Sequence, residues 1–160
     1  MKIGVVSDTH SRKVPQQLLN DFKKVDVIVH AGDFCSLQDL KIFSQMKEVR
    51  AVYGNMDEFE IRRMLPKCQI FQCGEFSIGL THGEGPAQEV FDCVRNEFKQ
   101  QKVDVVIFGH SHQRLNKKID DILYFNPGSP NDTIFAPYCS YGILELEAGK
   151  INAKIIKVKD

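Results

Sequence analysis

Apolar residues in this chain alternate between short continuous runs and helical spacings as far as residue 108, after which only strand-like patterns remain. Residues 3 to 7 read as a buried strand. Val14, Leu18, Phe22 and Val25 then recur at helical spacing behind Pro15, whose fixed φ suits a first helical turn. A second strand is expected at residues 27 to 30. Ser36 with Asp39 three residues on resembles a capping signal for a helix that carries Leu37, Leu40, Phe43 and Met46 on one face. The pattern next predicts a short strand at 51 to 53 and a helix at 58 to 65 that stops before Pro66. Residues 70 to 73 and 76 to 81 read as strands joined by a turn at Gly74-Glu75. A helix with Ala87, Val90, Val94 and Phe98 inward follows, then a strand at 103 to 108.

Beyond that point, segments 115 to 118, 123 to 126, 141 to 147 and 151 to 158 are strand-like, with turns at Asp120-Asp121 and Ala148-Gly149. In the last segment the apolar set shifts from Ile151, Ala153 and Ile155 to Ile156 and Val158, which predicts a bulge. The whole fits an α/β fold in which two mixed β-sheets pack as a sandwich flanked by helices, in four layers. A length of 160 residues suits one domain spanning residues 1 to 160. Lys24 to Asp33 echoes Lys102 to His110, and we read this as two similar strands, not a duplicated fold.

Charge narrows the partners. Lys plus Arg and Asp plus Glu both number 21, so the net charge is zero and no extended nucleic acid is expected as partner. The longest uninterrupted apolar runs, at residues 105 to 108 and 122 to 125, are far below the roughly 20 residues that span a bilayer, so no membrane partner is expected. With no secretory pattern at residue 1, a cytoplasmic location is the expectation. Cysteines 35, 68, 73, 93 and 139 are odd in number and form no C-x-x-C pair, which points to reduced thiols. Cys35 lies two residues past Asp33 and is read as a small filler that can reach the site.

The candidate chemistry sits where buried strands stop. Asp8-Thr9-His10, Gly32-Asp33, Gly54-Asn55, Thr81-His82-Gly83 and Gly109-His110-Ser111-His112 hold four of the five histidines. In open α/β sheets the crevice beyond the carboxyl ends of the strands is where ligands bind, so these residues can converge. Two aspartates, one asparagine and four histidines exceed the needs of one tetrahedral zinc, which implies two metal ions. Mixed oxygen and imidazole donors suit manganese, iron, nickel, cobalt or zinc better than magnesium or calcium.

The order D-x-H, G-D, G-N, H-G, G-H-x-H resembles the calcineurin-like metallophosphoesterase superfamily, specifically its small stand-alone phosphodiesterases, across essentially the whole chain. The resemblance implies that Asp8, His10 and His112 hold one metal, that Asn55, His82 and His110 hold the other, and that Asp33 bridges them. It implies a dinuclear-metal phosphodiesterase of small phosphodiesters, with a metal-bridging hydroxide as nucleophile and Asp33, Asn55 and His82 as catalytic residues. Manganese is the first choice of metal. Residues 126 to 129, Asn-Pro-Gly-Ser, are similar to a segment at the active-site rim of this branch and equally suit an ordinary turn.

One position departs from the pattern. Many members carry histidine after the asparagine as proton donor to the leaving oxygen, whereas Met56 stands here and has no proton to give. That biases the expectation toward leaving groups that depart unaided, such as aryl diesters, with phosphomonoesters as the second choice. Asp57 and His30 are the candidate substitutes for the donor. His30, absent from the ligand pattern, reads as a supporting or structural residue, and Arg62-Arg63 as a solvated helix face in preference to a phosphate clamp. The competing function class is a protein-binding scaffold like the phosphoesterase-like subunit of the retromer coat, in which the metal site has degenerated. A competent donor at every ligand position favours the enzyme. Homo-oligomerisation is left open.

Overall fold

The computed structural model describes residues 1 to 159. Its strands are β1 (Lys2–Val6), β2 (Val27–His30), β3 (Glu48–Ala51), β4 (Cys68–Cys73), β5 (Phe76–Thr81), β6 (Val105–Ile107), β7 (Leu115–Ile119), β8 (Ile122–Asn126), β9 (Ser140–Glu147) and β10 (Lys150–Lys157). Helices α1 (Gln16–Phe22), α2 (Leu37–Ser44), α3 (Phe59–Met64) and α4 (Val90–Phe98) connect the early strands. They form two five-stranded sheets of order β10-β9-β1-β2-β3 and β4-β5-β6-β8-β7. Strands β1, β2 and β3 run parallel, as do β5, β6 and β8, and the remaining strands pair antiparallel.

Burial on both faces explains why β1, β2 and β6 are nearly continuous apolar runs. Ile3, Val5, Val27 and Val29 from one sheet meet Ile78, Leu80, Val105 and Ile107 from the other in the central core. The opposite face of the first sheet (Val6, Ile28) packs under Leu18, Phe22, Phe43 and Ile61 of the helices. Val106 and Tyr124 likewise pack under Val90, Val94 and Phe98 of α4. These clusters make the four expected layers. Each sheet seats a helix aromatic over a strand glycine: a Cβ on Gly4 would lie 2.8 Å from the Phe22 ring, and one on Gly79 would lie 2.4 Å from Phe98. The glycines let these helices sit close to their sheets.

The internal echo has a structural counterpart. Asp26 Oδ2 accepts a 2.7 Å hydrogen bond from Lys2 N at the start of β1, and Asp104 Oδ2 accepts one of the same length from Ser77 N of β5. Each aspartate clamps the strand parallel to its own.

Several local expectations are corrected. The third strand lies at Glu48–Ala51, earlier than residues 51 to 53, because its pairing with β2 runs from Val27↔Glu48 to His30↔Ala51. Ala87 is exposed and precedes α4, which begins at Val90. The strand expected at 103 to 108 is confined to Val105–Ile107. No bulge interrupts β10, whose register with β9 is unbroken from Lys150↔Glu147 to Lys157↔Ser140. Ile151, Ala153 and Ile155 face the central core while Ile156 and Val158 pack under α1, so the apparent shift reflects cover on both faces. Ser36 is the N-cap residue of α2, but its hydroxyl donates to the Asp39 carboxylate (2.8 Å) in place of a backbone cap.

Candidate metal centre

Five of the seven candidate ligands hold a left-handed backbone: Asp8 (φ 58°), His10 (50°), Asp33 (59°), His110 (65°) and His112 (54°). Such conformations cost non-glycine residues of order 1–3 kcal/mol each and persist where the surroundings over-determine them. The surroundings here are two loops that pair beyond their strands, with Asp8 N donating to Gly32 O (3.0 Å), His10 N to Asp33 O (3.0 Å) and Ser11 N to Phe34 O (2.9 Å). Asn55 follows β3, His82 follows β5, and His110 and His112 follow β6, so every candidate lies past the carboxyl end of a parallel strand.

All seven converge. His10 Nε2 and His112 Nε2 are 3.1 Å apart, and Asp8 Oδ1 lies 3.9 and 3.4 Å from them. Beside this group, His82 Nε2 and His110 Nδ1 are 3.2 Å apart, with Asn55 Oδ1 at 3.1 and 2.8 Å respectively. Asp33 Oδ2 stands 3.4 Å from His82 Nε2. Single ligand atoms of Asp8, His10 and His112, and of Asp8, Asp33 and His82, each gather within 4.8 Å of one another.

The outward ring nitrogens fix which nitrogen points inward. His82 Nδ1 donates to Ala31 O (2.7 Å), His110 Nε2 to Gly85 O (2.8 Å) and His112 Nδ1 to Asp132 Oδ2 (2.6 Å). Each turns its other nitrogen toward the cluster, the arrangement that orients metal-ligating histidines. His10 Nδ1 meets the Cys35 sulfur at 3.5 Å. Cys35 therefore touches a candidate ligand from behind, and its thiol is pushed up to about 11 by burial first and then by Asp33 and Asp57.

The residues fit divalent cations. Asp8 Oδ1 is fully buried and accepts no hydrogen bond among the described residues, although it belongs to a carboxylate held at about 2. Burial alone would raise that pKa, but the approach of His112 Nε2 to 3.4 Å and the charges of His82 and His112 outweigh it. His82 and His112 are each raised to about 9: burial opposes the charge, and Asp33 with Asp8, or Asp8 with Asp132, overcomes it. A buried, ionised and unsatisfied oxygen among cation-stabilising carboxylates is what a metal would satisfy.

Neither candidate proton donor is free. His30 is fully buried, stacks on Phe34 at 3.5 Å between centroids, and accepts from Gly32 N at Nδ1. Burial pushes it down to about 3, so it stays neutral, in keeping with the structural role expected. Asp57 accepts backbone N–H groups from Asp33 (3.0 Å), Cys35 (2.7 Å) and Gly54 (2.7 Å). It clasps the loops that carry Asp33 and Asn55. Gly54 permits that clasp, since a Cβ there would lie 2.1 Å from Asp33 Oδ1.

Arg62 and Arg63 are exposed on α3, as expected of a solvated face, and Arg62 has a further task. Its guanidinium donates to the carbonyls of Asn55 and Asp57, holding the Asn55 loop from that exposed face. Residues 126 to 129 underlie the site: Asn126 Nδ2 donates to Gly109 O (2.9 Å) and Ser129 Oγ to Asp8 O (2.8 Å). They serve as more than an ordinary turn. Asp132 and Arg12 escaped the sequence reading. Asp132 carries no motif, and Arg12 enters the cleft wall only because its loop folds over, with Nη1 on Asn131 O at 3.1 Å. Above the ligands opens a cleft of about 470 Å³, walled by Arg12, Asn55, Met56, Ile134 and Phe135 among others.

The calcineurin-like phosphoesterase superfamily domain matches residues 1–149. The chain belongs to this superfamily. A probable metallophosphoesterase of Methanothermobacter thermautotrophicus is 33% identical, with 98% of this chain and 92% of that protein covered. A phosphodiesterase of Methanocaldococcus jannaschii is 31% identical over 80% of this chain and 83% of its own length. Among solved structures, an archaeal phosphodiesterase superposes with a TM-score of 0.72 at 28% identity, covering 98% of this chain and all of that one. Zinc-complexed Vps29 of Entamoeba histolytica superposes at 0.78 and 23% identity, covering 99% of this chain and all of its own, a likeness of fold. Membership of the superfamily implies divalent metal ions, for which the centre described above offers ligands. Among the described residues no helix is long and apolar enough to cross a membrane.

Proposed function

We propose that residues 1 to 160 act as one metallophosphoesterase domain, a dinuclear-metal phosphodiesterase of small phosphodiesters. The observation that carries the reading is the buried Asp8 carboxylate, ionised with an unsatisfied oxygen, beside two histidine pairs whose inward nitrogens converge within 3.1 and 3.2 Å. Asp8, His10 and His112 would hold one ion, Asn55, His82 and His110 the other, and Asp33 both. When bound, such a pair supplies a hydroxide nucleophile at neutral pH and Lewis-acid neutralisation of phosphoryl charge, with manganese the first choice. Asp33 and Asn55 are kept in place by Asp57 and Arg62, and Arg12 offers a cation to the substrate anion across the cleft. Water reaches the phosphorus from the ligand floor, so the ester groups project toward the outer walls of the cleft. Neither Asp57 nor His30 is placed to protonate the leaving oxygen in place of the histidine that Met56 replaces, because both are engaged elsewhere. Diesters with good leaving groups are therefore favoured over unactivated monoesters. The cleft volume suits a small substrate, and cysteines that form no disulfide among the described residues fit a reducing cytoplasmic setting.

Metal analysis of the purified protein, with hydrolysis of bis-p-nitrophenyl phosphate with and without manganese, tests the reading. Metal-dependent turnover is expected, and it should vanish in Asp33→Ala. The fold likeness to Vps29 supports the second reading, a protein-binding scaffold. Folded protein that turns over no phosphoester with any divalent ion would favour it.

A further inference from the structure

Three of the largest exposed apolar side chains stand together at the mouth of the metal cleft: Met56 (58% exposed), Ile134 (71%) and Phe135 (82%). Clustered apolar exposure is unusual on a soluble surface and marks a place where something apolar binds. Here it borders a site whose candidate ligands are the polar side chains of His10, Asp33, Asn55, His110 and His112, a division typical of small-ligand pockets, in which polar groups anchor one end and apolar walls hold the other. We infer that Met56, Ile134 and Phe135 form an apolar lip that receives an aromatic ester group, making aryl-bearing phosphoesters the preferred substrate class. The inference rests on the phosphoesterase reading for the anchor at the floor, and it adds the identity of what projects from it.

The lip is tied to the ligands. Asp132 Oδ2 accepts from His112 Nδ1 at 2.6 Å, while its Oδ1 accepts from Ile134 N (2.8 Å) and Phe135 N (3.0 Å). One carboxylate thus orients a candidate metal ligand and fixes the backbone of two lip residues. Met56 is fixed separately, its N–H donating to Asp33 Oδ1 at 2.7 Å. An aryl group lying against this lip gains ring contact with Phe135 and sulfur contact with Met56, both favourable for a π-system. The residue that denies the site a proton donor thereby becomes part of the surface that holds an aryl group, whose phenolate departs without one.

The test uses two anions with the same head group. Phenylphosphonate and methylphosphonate are titrated calorimetrically into manganese-loaded protein, so the metal anchor cancels in the comparison. Wild type is expected to bind the phenyl compound about tenfold more tightly, the scale of an aromatic contact with its area burial. Ile134→Ser/Phe135→Ser is expected to abolish most of that gap while methylphosphonate affinity stays within about twofold, and Phe135→Tyr should retain it. Both changes fall on exposed side chains and leave the core intact. Equal binding of the two compounds by wild type, binding of neither, or a gap that survives the double substitution overturns the lip. A gap that behaves as expected in protein lacking phosphoesterase turnover would sustain the lip and defeat the hydrolase reading.

Discussion

His10 and His112, 102 residues apart in the chain, bring their Nε2 atoms to 3.1 Å of each other above the buried Asp8 carboxylate. Two imidazoles so close need a proton or a cation between them, and the partners behind them decide how firmly they wait. His112 is held by Asp132 at 2.6 Å, and His10 only by the Cys35 sulfur at 3.5 Å.

Asp132→Asn is therefore expected to weaken metal binding by about 10- to 100-fold, the usual consequence of removing the carboxylate behind a ligating histidine. Isothermal titration of manganese into the apo protein would measure it. An unchanged affinity would place Asp132 in loop structure alone.

His82→Ala and Asp33→Ala should each abolish hydrolysis of bis-p-nitrophenyl phosphate by disrupting the ion pair. His30→Ala should keep measurable activity yet cost stability of about 2–4 kcal/mol, as large-to-small changes in a packed core do. Denaturant melts beside rate assays separate the two effects, and loss of stability in His82→Ala alone would invert the assignment.

Proton competition sets a pH dependence. His82 and His112 rest at about 9 in the metal-free protein, above the ordinary histidine value of 6.5. Groups raised in the folded state contribute stability that is complete below 6.5 and lost as pH climbs through 9. The metal-free protein should thus lose thermal stability from pH 6.5 to 9, while apparent metal affinity rises over the same window because each ion displaces protons. Calorimetric melts with and without chelator across that range would show the two curves diverging. Parallel curves would contradict the raised values.

Met56→His restores a donor at the cleft mouth. Turnover of diesters with alkoxide leaving groups should rise by about 100-fold or more, since general acid catalysis is typically worth 10²–10⁴, while p-nitrophenyl esters gain little. Rate measurements on both ester types decide it, and an equal gain for both would show that the change acts through something other than protonation.

Much of the fold could be read from apolar rhythm. The runs at β1, β2 and β6 are strands because both faces are buried, and Phe22 and Phe98 fall on helices because the spacing brings them over Gly4 and Gly79. Where the pattern misled, at β10 and at Ala87, the cause was cover that sequence does not display. A strand packed on both faces looks like one with a bulge, and an apolar residue before a helix looks like part of it.

The seven candidate ligands were equally legible, since short polar motifs that end buried strands have one place to go in a parallel sheet. What surrounds them was not. Asp132, Arg12, the Asp57 clasp and the Ile134-Phe135 lip come from loops with no periodicity, so their meeting depends on how distant segments close over one another. The chain by itself determined which donors stand at the strand ends, because local pattern and strand order place them. The tertiary structure decided their protonation, orientation and walls, because burial and charge at a point arise from residues as far apart as Asp8 and Ser129.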